Sequence, residues 1–244
     1  MSTGFSLDLD SWKLEAMRVG SQRDSSLPAD SSRGGRPGDG NRCASQAVER
    51  AGPPVLYAGL LGASWAALHP EVRQLHSTFA PQRMQGSFEV YHAPRLLARW
   101  VIRRLHLPGA GAAVPVLLEV VPAVASKSDA PGESWRRRLG DVALATCQWA
   151  GRDGLLCERF GLLEFRFQLE VRDGALVYVQ RSAALRLGQG ALLLPWICAP
   201  RILAREEGAS LGAGVNVNVE VHVPWLGLLF GYRGSVSRAG GDPR

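Results

Sequence analysis

The chain has 244 residues, of which 46% are apolar and 20% are charged. This composition excludes a collagen, a coiled coil and a fully disordered chain, and the length predicts one or two globular domains. The formal net charge is +6, and residues 1–50 hold as many acidic as basic side chains, so the whole excess lies in residues 51–244. A positive net charge favours anionic partners. Only Lys13 and Lys127 are lysines, so the preferred explanation of the many arginines is a bias of the coding sequence and not selection for anion binding.

Composition divides the chain into three segments. Residues 1–52 are predicted to form a disordered leader, because their Ser-, Gly-, Pro- and Asp-rich part offers almost nothing to bury. Residues 53–238 are predicted to form a single α+β domain, and residues 239–244 a disordered tail. The N-terminal residues have neither the basic nor the apolar region of a signal peptide, so we expect a cytoplasmic location.

Cysteine spacing and hydropathy argue against a metal site and a membrane span. The four cysteines, at positions 43, 147, 157 and 198, form no C-x-x-C pair and have no histidine at zinc-finger spacing. We therefore expect buried free thiols, no metal and no cofactor. The uncharged run 51–70 has prolines near both ends, which leaves an apolar stretch shorter than the roughly 20 residues of a transmembrane helix.

Two helices are predicted in the first part of the domain. The first begins near Pro53, where prolines suit a helix start. The second covers residues 94–106, with Leu97, Trp100, Val101 and Leu105 predicted to pack inward. On its other face Arg95, Arg99 and Arg103 recur at every fourth position and form a cationic ridge.

Alternation of apolar and polar residues predicts strands in the rest of the domain. The clearest cases are LEFRFQLEVR at 163–172 and VNVNVEVHV at 215–223. Further strands are predicted at 82–91, 114–122, 141–150, 155–160, 175–187 and 228–237. The prolines of GQGALLLPWICAP, residues 188–200, predict a bend there instead of a strand. Together these elements predict an α+β fold: a mainly antiparallel, curved β-sheet or half-barrel of about seven to nine strands, with two N-terminal helices packed on it.

Two groups of residues are candidates for function. The candidate anion-binding set consists of Arg95, Arg99, Arg103 and Arg137. The alternative for the three helix arginines is a solvated helix face, and the alternative for Arg137 is an edge-strand arginine paired with local acidic residues. The candidate polar cluster comprises Glu158, Arg159, Arg205, Glu206, Glu220 and His222. Glu220 and His222 are two apart in one strand and face the same way, as an acid/base pair would, but solvated residues on an outer face are the preferred interpretation. The chain has no GxSxG, GxGxxG, P-loop or HExxH motif.

Four segments resemble a bacterial domain-of-unknown-function family, number 4166. They are ESWRRRLG (133–140), LLCERFGLLEFRFQLEVRDGALVY (155–178), LLLPWICAPRILAREE (192–207) and VNVEVHVPWLGLLFGYRGSV (217–236). Members of that family occur alone or fused to reductase-like or saccharopine-dehydrogenase-like domains, so the resemblance implies an accessory role near a redox enzyme and transfers no catalytic residue. The positions singled out within the pattern are Trp135, Arg137, Glu158, Arg159, Gly161, Arg205, Glu206, Tyr232, Arg233 and Gly234.

The sequence therefore predicts a domain that binds an apolar or amphipathic small molecule without catalysis and serves a reductase-type partner. One alternative is an isomerase- or hydrolase-type enzyme that uses the polar cluster in the same cavity. Another is association with an anionic membrane or RNA through the arginine-rich helix. Nucleic acid is disfavoured among these partners, because no helix-turn-helix, RNP-type strand or zinc module accompanies the arginines.

Overall fold

The computed structural model describes residues 55–77, 80–124, 131–188, 190–210 and 213–240. The predicted leader, residues 1–52, lies outside the described residues, as does the predicted tail from residue 241 onward. The described part begins with helix α1 (Leu56–Leu61), a 3-10 helix (Gly62–Ala67) and helix α2 (Pro70–Leu75). These replace the single first helix that we predicted. Gly62, at φ +53°, ends α1, and Pro70, which lacks an amide hydrogen, begins a new helix.

Eleven strands and one further helix follow. They are β1 (Gln82–His92), α3 (Leu96–Arg104), β2 (Gly111–Val124), β3 (Pro131–Leu139), β4 (Val142–Ala150), β5 (Leu156–Phe160), β6 (Leu163–Arg172), β7 (Ala175–Leu187), β8 (Gly190–Leu193), β9 (Arg201–Gly208), β10 (Val215–Val223) and β11 (Gly227–Arg238). No helix of the described chain combines the length and the apolar character that crossing a membrane requires.

The sheet closes on itself. Its strands are hydrogen-bonded in the order β6-β5-β4-β3-β2-β1-β11-β10-β9-β7, and β6 also pairs with β7. Every pairing is antiparallel, and β8 forms a short hairpin with the end of β7 outside this ring. The antiparallel prediction is confirmed, but the half-barrel of seven to nine strands is wrong: the fold is a closed barrel of ten strands with an eleventh attached. Closure pairs the strand edges that a half-barrel would leave open.

Strand β8 also corrects the bend predicted for residues 188–200. Gly188 has φ +57°, a left-handed conformation that lets the chain reverse directly after β7. Pro195 and Pro200 both lie beyond the end of β8, so neither removes a hydrogen bond from the hairpin. The prolines do keep the chain out of regular structure between β8 and β9, where residues 196–198 form a turn.

The two ends of the barrel differ. At the end that holds the β6–β7 turn, α1 and α2 pack with Tyr57, Val72 and Leu75 buried. The amide of His69 donates a hydrogen bond of 2.8 Å to the carbonyl of Gly174 in that turn. We call this the plugged end. The opposite end holds α3, which connects β1 to β2, together with the β5–β6, β7–β8 and β10–β11 turns, because antiparallel strands place these connections on one side.

Helix α3 packs by a different stripe from the one predicted. Ala98 and Ile102 are buried, and Val101 is half-buried. Leu97 and Trp100, which the periodicity placed inward, are 57% and 62% exposed. The predicted inward face is therefore wrong for Leu97, Trp100 and Leu105, since the smaller Ala98 and Ile102 make the close contact with the barrel end and the larger side chains remain in solvent.

Candidate functional site

The barrel encloses a cavity of about 270 Å³. It extends from Glu206 near the plugged end to Leu105 at the C-terminus of α3. Its wall is mostly apolar because alternate residues of each strand face inward, and the inward set is rich in Val, Leu and Phe. The volume is close to the lower limit of the roughly 300–1,000 Å³ typical of small-molecule sites.

A hydrogen-bonded network lies where the lumen meets α1 and α2. We call it the luminal network, and its members are Tyr57, His76, Gln148, Tyr178 and Glu206. The two Glu206 oxygens lie 2.6 Å from His76 Nε2 and 3.0 Å from the Tyr178 hydroxyl, which donates to the carboxylate. The Tyr57 hydroxyl donates to Gln148 Oε1 at 2.7 Å and lies 3.2 Å from the Tyr178 hydroxyl. Side chains from α1, α2, β4, β7 and β9 are thereby joined.

The network holds Glu206 in its ionised form. Burial by itself would raise the pKa of this carboxyl, but the charge and hydrogen bond of His76, the Tyr178 hydroxyl and the charge of Arg137 together lower it below its ordinary value. Burial raises the pKa of both Tyr57 and Tyr178 well above 10, so both hydroxyls keep their protons and act as donors. A buried carboxylate with two partners therefore anchors this end of the lumen.

His76 is fixed by aromatic contacts as well as by Glu206. Its ring lies 3.8 Å from the ring of Tyr57 and 5.3 Å from that of Trp135, measured between centroids. Its second nitrogen, Nδ1, is buried without a hydrogen-bond partner in the described structure. Nε2 carries the hydrogen in the contact with Glu206, because an ionised carboxylate can only accept.

A second polar group faces the lumen from β3 and its neighbours. Arg137 Nη1 donates to Thr146 Oγ1 at 3.0 Å, and Nη2 lies 3.8 Å from Glu158 Oε1. The guanidinium also lies over the Trp135 ring, 5.1 Å from its centroid. Burial opposes the charge, but Tyr232, Glu158 and other acidic groups raise the pKa of Arg137, so the barrel contains a permanent cation.

Glu133 lies beside this region and gives the first testable prediction. Trp135 Nε1 donates to its carboxylate at 2.9 Å, yet burial raises the pKa of Glu133 above its ordinary value of 4.5. A carboxyl with a raised folded pKa costs stability when ionised, and the cost disappears as the pH falls below the unfolded value. We expect Glu133→Gln to raise Tm at pH 7 by roughly 2–4 °C, the shift of about 1 kcal/mol in a chain of this size.

The same comparison at pH 4 checks the cause. There the wild-type carboxyl is mostly protonated in both states, so most of the gain from Glu133→Gln should be lost. Glu119→Gln on the outer wall, which breaks the exposed pair with Arg83, should change Tm little at either pH. An equal gain at both pH values would show that ionisation of Glu133 is not what costs stability.

The structure separates the predicted polar cluster into two sets. Glu158 and Glu206 line the lumen. Arg159, Arg205, Glu220 and His222 alternate with lumen-facing neighbours and belong to the outer wall. Glu220 accepts hydrogen bonds from Tyr91 at 3.1 Å and pairs with His222 at 2.9 Å, and Arg205 pairs with Glu207 at 3.0 Å.

The predicted anion-binding residues are divided in the same way. Arg137 faces the lumen, whereas Arg95, Arg99 and Arg103 are exposed on and beside α3. Of the positions singled out in the family pattern, half line the cavity: Trp135, Arg137, Glu158, Glu206 and Tyr232.

Sequence reasoning missed several polar residues of the lumen, namely Tyr57, His76, Thr146, Gln148 and Tyr178. Thr146 and Gln148 carry a signal that could have been used, because they alternate with Cys147 and Trp149 in β4 and so share one face. His76 and Tyr57 carry no such signal, because they belong to the α1 and α2 region, which is far in sequence from the strands that hold Gln148 and Tyr178.

The arrangement suits binding by hydrogen bonds better than metal ligation. No group of three or more His, Cys, Asp or Glu side chains within the described ranges could hold a metal ion. The polar groups of the lumen are already paired with one another, and its remaining surface is apolar. A guest could therefore place its apolar part among the Val and Phe side chains and direct a polar end at Arg137, Glu158 or Glu206.

Fold and site together define a closed antiparallel barrel with an apolar lumen and a buried polar network at one end. The chain belongs to the family described as Domain of unknown function (DUF4166), whose sequence profile matches residues 68–236. The match covers β1 to β11 and most of both polar groups, which confirms the predicted membership. No curated protein and no solved structure matches the chain.

Proposed function

We propose that the barrel binds an apolar or amphipathic small molecule in its lumen and performs no chemistry on it. The observation that carries the proposal is the contrast within the cavity: apolar walls along the strands, and polar groups confined to one region. Binding pockets combine apolar lining with a few oriented polar groups in this way. Accessory service to a reductase-type partner in the cytoplasm remains part of the proposal and rests on the family context.

The charge balance of the lumen favours a particular polar end on the ligand. Among the described residues, Glu158 and Glu206 line the cavity and Glu133 is buried near Glu206, whereas Arg137 is the permanent cation in the lining. Glu206 is paired with His76 and Tyr178, whereas Glu158, within the part of the chain that the structure describes, has only the long contact to Arg137. A ligand carboxylate would add another negative charge in a weakly screened site, so a hydroxyl or amine that donates to Glu158 is favoured.

An enzyme acting in the same cavity is the second candidate. It would draw on Glu158 and Glu206, the two members of the predicted cluster that line the lumen. The pair considered for acid/base chemistry, Glu220 with His222, belongs to the outer wall and pairs there with Tyr91. This placement favours binding over catalysis, since a general base must reach the atom from which it takes a proton.

Native mass spectrometry of the full chain, purified from its own cells, tests the proposal. We expect a stoichiometric retained mass, released by organic extraction, with a hydroxyl or amine on an apolar skeleton. Repeated isolation of an empty protein, together with no displacement of a neutral fluorescent probe such as Nile red by long-chain alcohols, amines or acids, would contradict it. Turnover of the extracted compound by the protein would favour the enzyme instead.

A pair of neighbouring substitutions locates the binding site. Val219 faces the lumen and Asn218 faces outward on the same strand. We expect Val219→Phe to weaken Nile red binding by about ten- to a hundredfold, since overfilling a packed interior costs roughly 1–3 kcal/mol. Asn218→Phe should leave the probe affinity unchanged, and equal effects of both variants would place the probe outside the lumen.

A further inference from the structure

Exposed apolar side chains are concentrated at the α3 end of the barrel. Of the twelve large hydrophobic residues that are exposed in the described structure, eleven lie in α3 and its C-terminus, the β5–β6 turn, the β7–β8 hairpin with the bend after it, and the β10–β11 turn. The exception is Leu203 in the outer wall. We call this set the apolar rim. Its tryptophans, Trp100, Trp196 and Trp225, are 62%, 86% and 80% exposed.

The rim surrounds the place where the cavity comes nearest to solvent. Leu105 lines the cavity and is itself 44% exposed. Val223, which ends β10 just before the turn that holds Trp225, also lines the cavity. Arg95 Nη1 donates to the carbonyl of Trp225 at 3.2 Å, so the start of α3 is tied to that turn. Residues that line the cavity and residues that are exposed to solvent are therefore neighbours at this end of the barrel.

The charge of the rim has one sign almost throughout. Residues 93–110, 161–162, 188–200 and 224–226 contain Arg95, Arg99, Arg103 and Arg104 and no acidic residue. Asp141 in the β3–β4 turn and Glu164 beside the β5–β6 turn are acidic residues at this end, and Glu164 is paired with Arg166 and Arg186. The turns at the plugged end carry Arg152 beside Asp153, and Asp173 beside Arg172 at the end of β6. The rim therefore combines apolar side chains with arginines that have no acidic residue in the same segments, whereas acidic and basic residues are mixed at the plugged end.

We propose that the apolar rim docks the barrel on an anionic lipid surface, with the cavity entrance facing the lipid. Exposed tryptophan and leucine beside arginine suit the interface of an anionic bilayer, where apolar side chains enter the headgroup boundary and cations meet phosphate. Leucines and an isoleucine contribute much of the rim and offer no ring for stacking on bases, so a lipid surface fits better than RNA. Docking would let the lumen exchange its guest with the membrane, and in that respect it rests on the proposed function.

Sedimentation of the full chain with vesicles tests the docking. We expect binding to vesicles of equal parts phosphatidylcholine and phosphatidylglycerol, little binding to phosphatidylcholine alone, and a steep loss as salt is added. The triple variant R95Q/R99Q/R103Q should weaken binding by about a hundredfold, since each basic residue near the surface contributes roughly fivefold. The double variant W100S/W196S should weaken it by about tenfold or more.

The plugged end provides a matched control. R152Q/R172Q/R238Q removes the same charge from exposed positions at that end. A ten-residue strand spans roughly 33 Å, several Debye lengths at physiological salt, so these residues should change vesicle affinity by less than about twofold. An equal loss in both triple variants would overturn the proposal, because it would make net charge the cause.

Other outcomes separate docking from lumen binding and from nucleic acid. No sedimentation with the mixed vesicles at low salt, in a protein that still retains its lumen ligand by native mass spectrometry, overturns docking alone. Vesicle binding by a protein whose lumen is always empty supports docking and contradicts the lumen function. Tighter binding to homopolymeric RNA than to the mixed vesicles, lost in the same rim variants, overturns docking in favour of RNA.

Discussion

Replacing Glu206 by alanine is expected to lower the free energy of unfolding by about 4 kcal/mol, because removal of one partner leaves buried groups uncompensated. His76 Nε2 and the Tyr178 hydroxyl would both lose their acceptor, and the Tyr57–Gln148 part of the luminal network would lose its link to β9. Urea denaturation of the variant and the wild type at pH 7 measures the difference directly.

The neighbouring carboxylate is the control. Glu207 is exposed, faces the outer wall and pairs with Arg205. Glu207→Ala should change the unfolding free energy by no more than about 0.5 kcal/mol, as for most exposed pairs. Similar losses in both variants would mean that β9 is weakened by any substitution there and that the luminal network is not responsible.

The pH dependence follows from the lowered pKa of Glu206. A carboxyl whose folded pKa lies below the unfolded value contributes stability that is complete above the unfolded value, ordinarily 4.5, and is lost as the pH falls through the folded value. The gap between the wild type and Glu206→Ala should therefore narrow below pH 4.5. A gap that stays constant to pH 3 would show that hydrogen-bond geometry and packing, not the carboxylate charge, account for the loss.

Gly86→Ala is expected to destabilise the barrel by about 3 kcal/mol or more, the upper part of the range for overpacking. Gly86 lies in β1 opposite Val236 of β11, in the pairing that joins the first strand to the last. A Cβ there would overlap the carbonyl oxygen of Ser235, which is backbone and cannot rotate away. Closure would then require the two strands to separate.

Gly109→Ala is the matched control, because a Cβ at Gly109 would meet no atom within 4 Å. Removing the conformational freedom of a glycine there should be neutral or stabilise by up to about 1 kcal/mol. Urea denaturation of both variants distinguishes a specific steric effect from a general response to glycine replacement. A Gly86→Ala protein as stable as the wild type would show that the β1–β11 seam adjusts without cost.

The alternation of apolar and polar residues was sufficient to predict which side chains share a face of each strand. The alternation in β6 predicted that Phe165 and Phe167 share a face with Leu163, and all three line the lumen. The alternation in β10 did the same for Val217, Val219 and Val221. These predictions succeed because consecutive side chains of a strand point to opposite sides whatever the strand pairs with.

The candidate site was predicted only in part. Glu158 and Glu206 were named in the candidate polar cluster and Arg137 in the candidate anion-binding set, so the three residues were not predicted to share one lumen. In β3, Trp135, Arg137 and Leu139 share a face, which hints that Arg137 accompanies buried residues. Nothing local shows that this face meets His76 of α2, because their proximity depends on where the helices pack.

The amino-acid sequence by itself determined most of the strands, their two faces, the antiparallel class and the family, since each follows from short-range periodicity, turn residues and motifs. Only the tertiary structure decided that the sheet closes, because the β1–β11 and β7–β9 pairings join strands that are not consecutive and depend on accumulated twist and register. Closure then decides the rest. It turns one face of every strand into an interior, places Arg137 and Glu206 inside it, leaves Glu220 and His222 outside, and exposes the apolar side of α3 at the entrance.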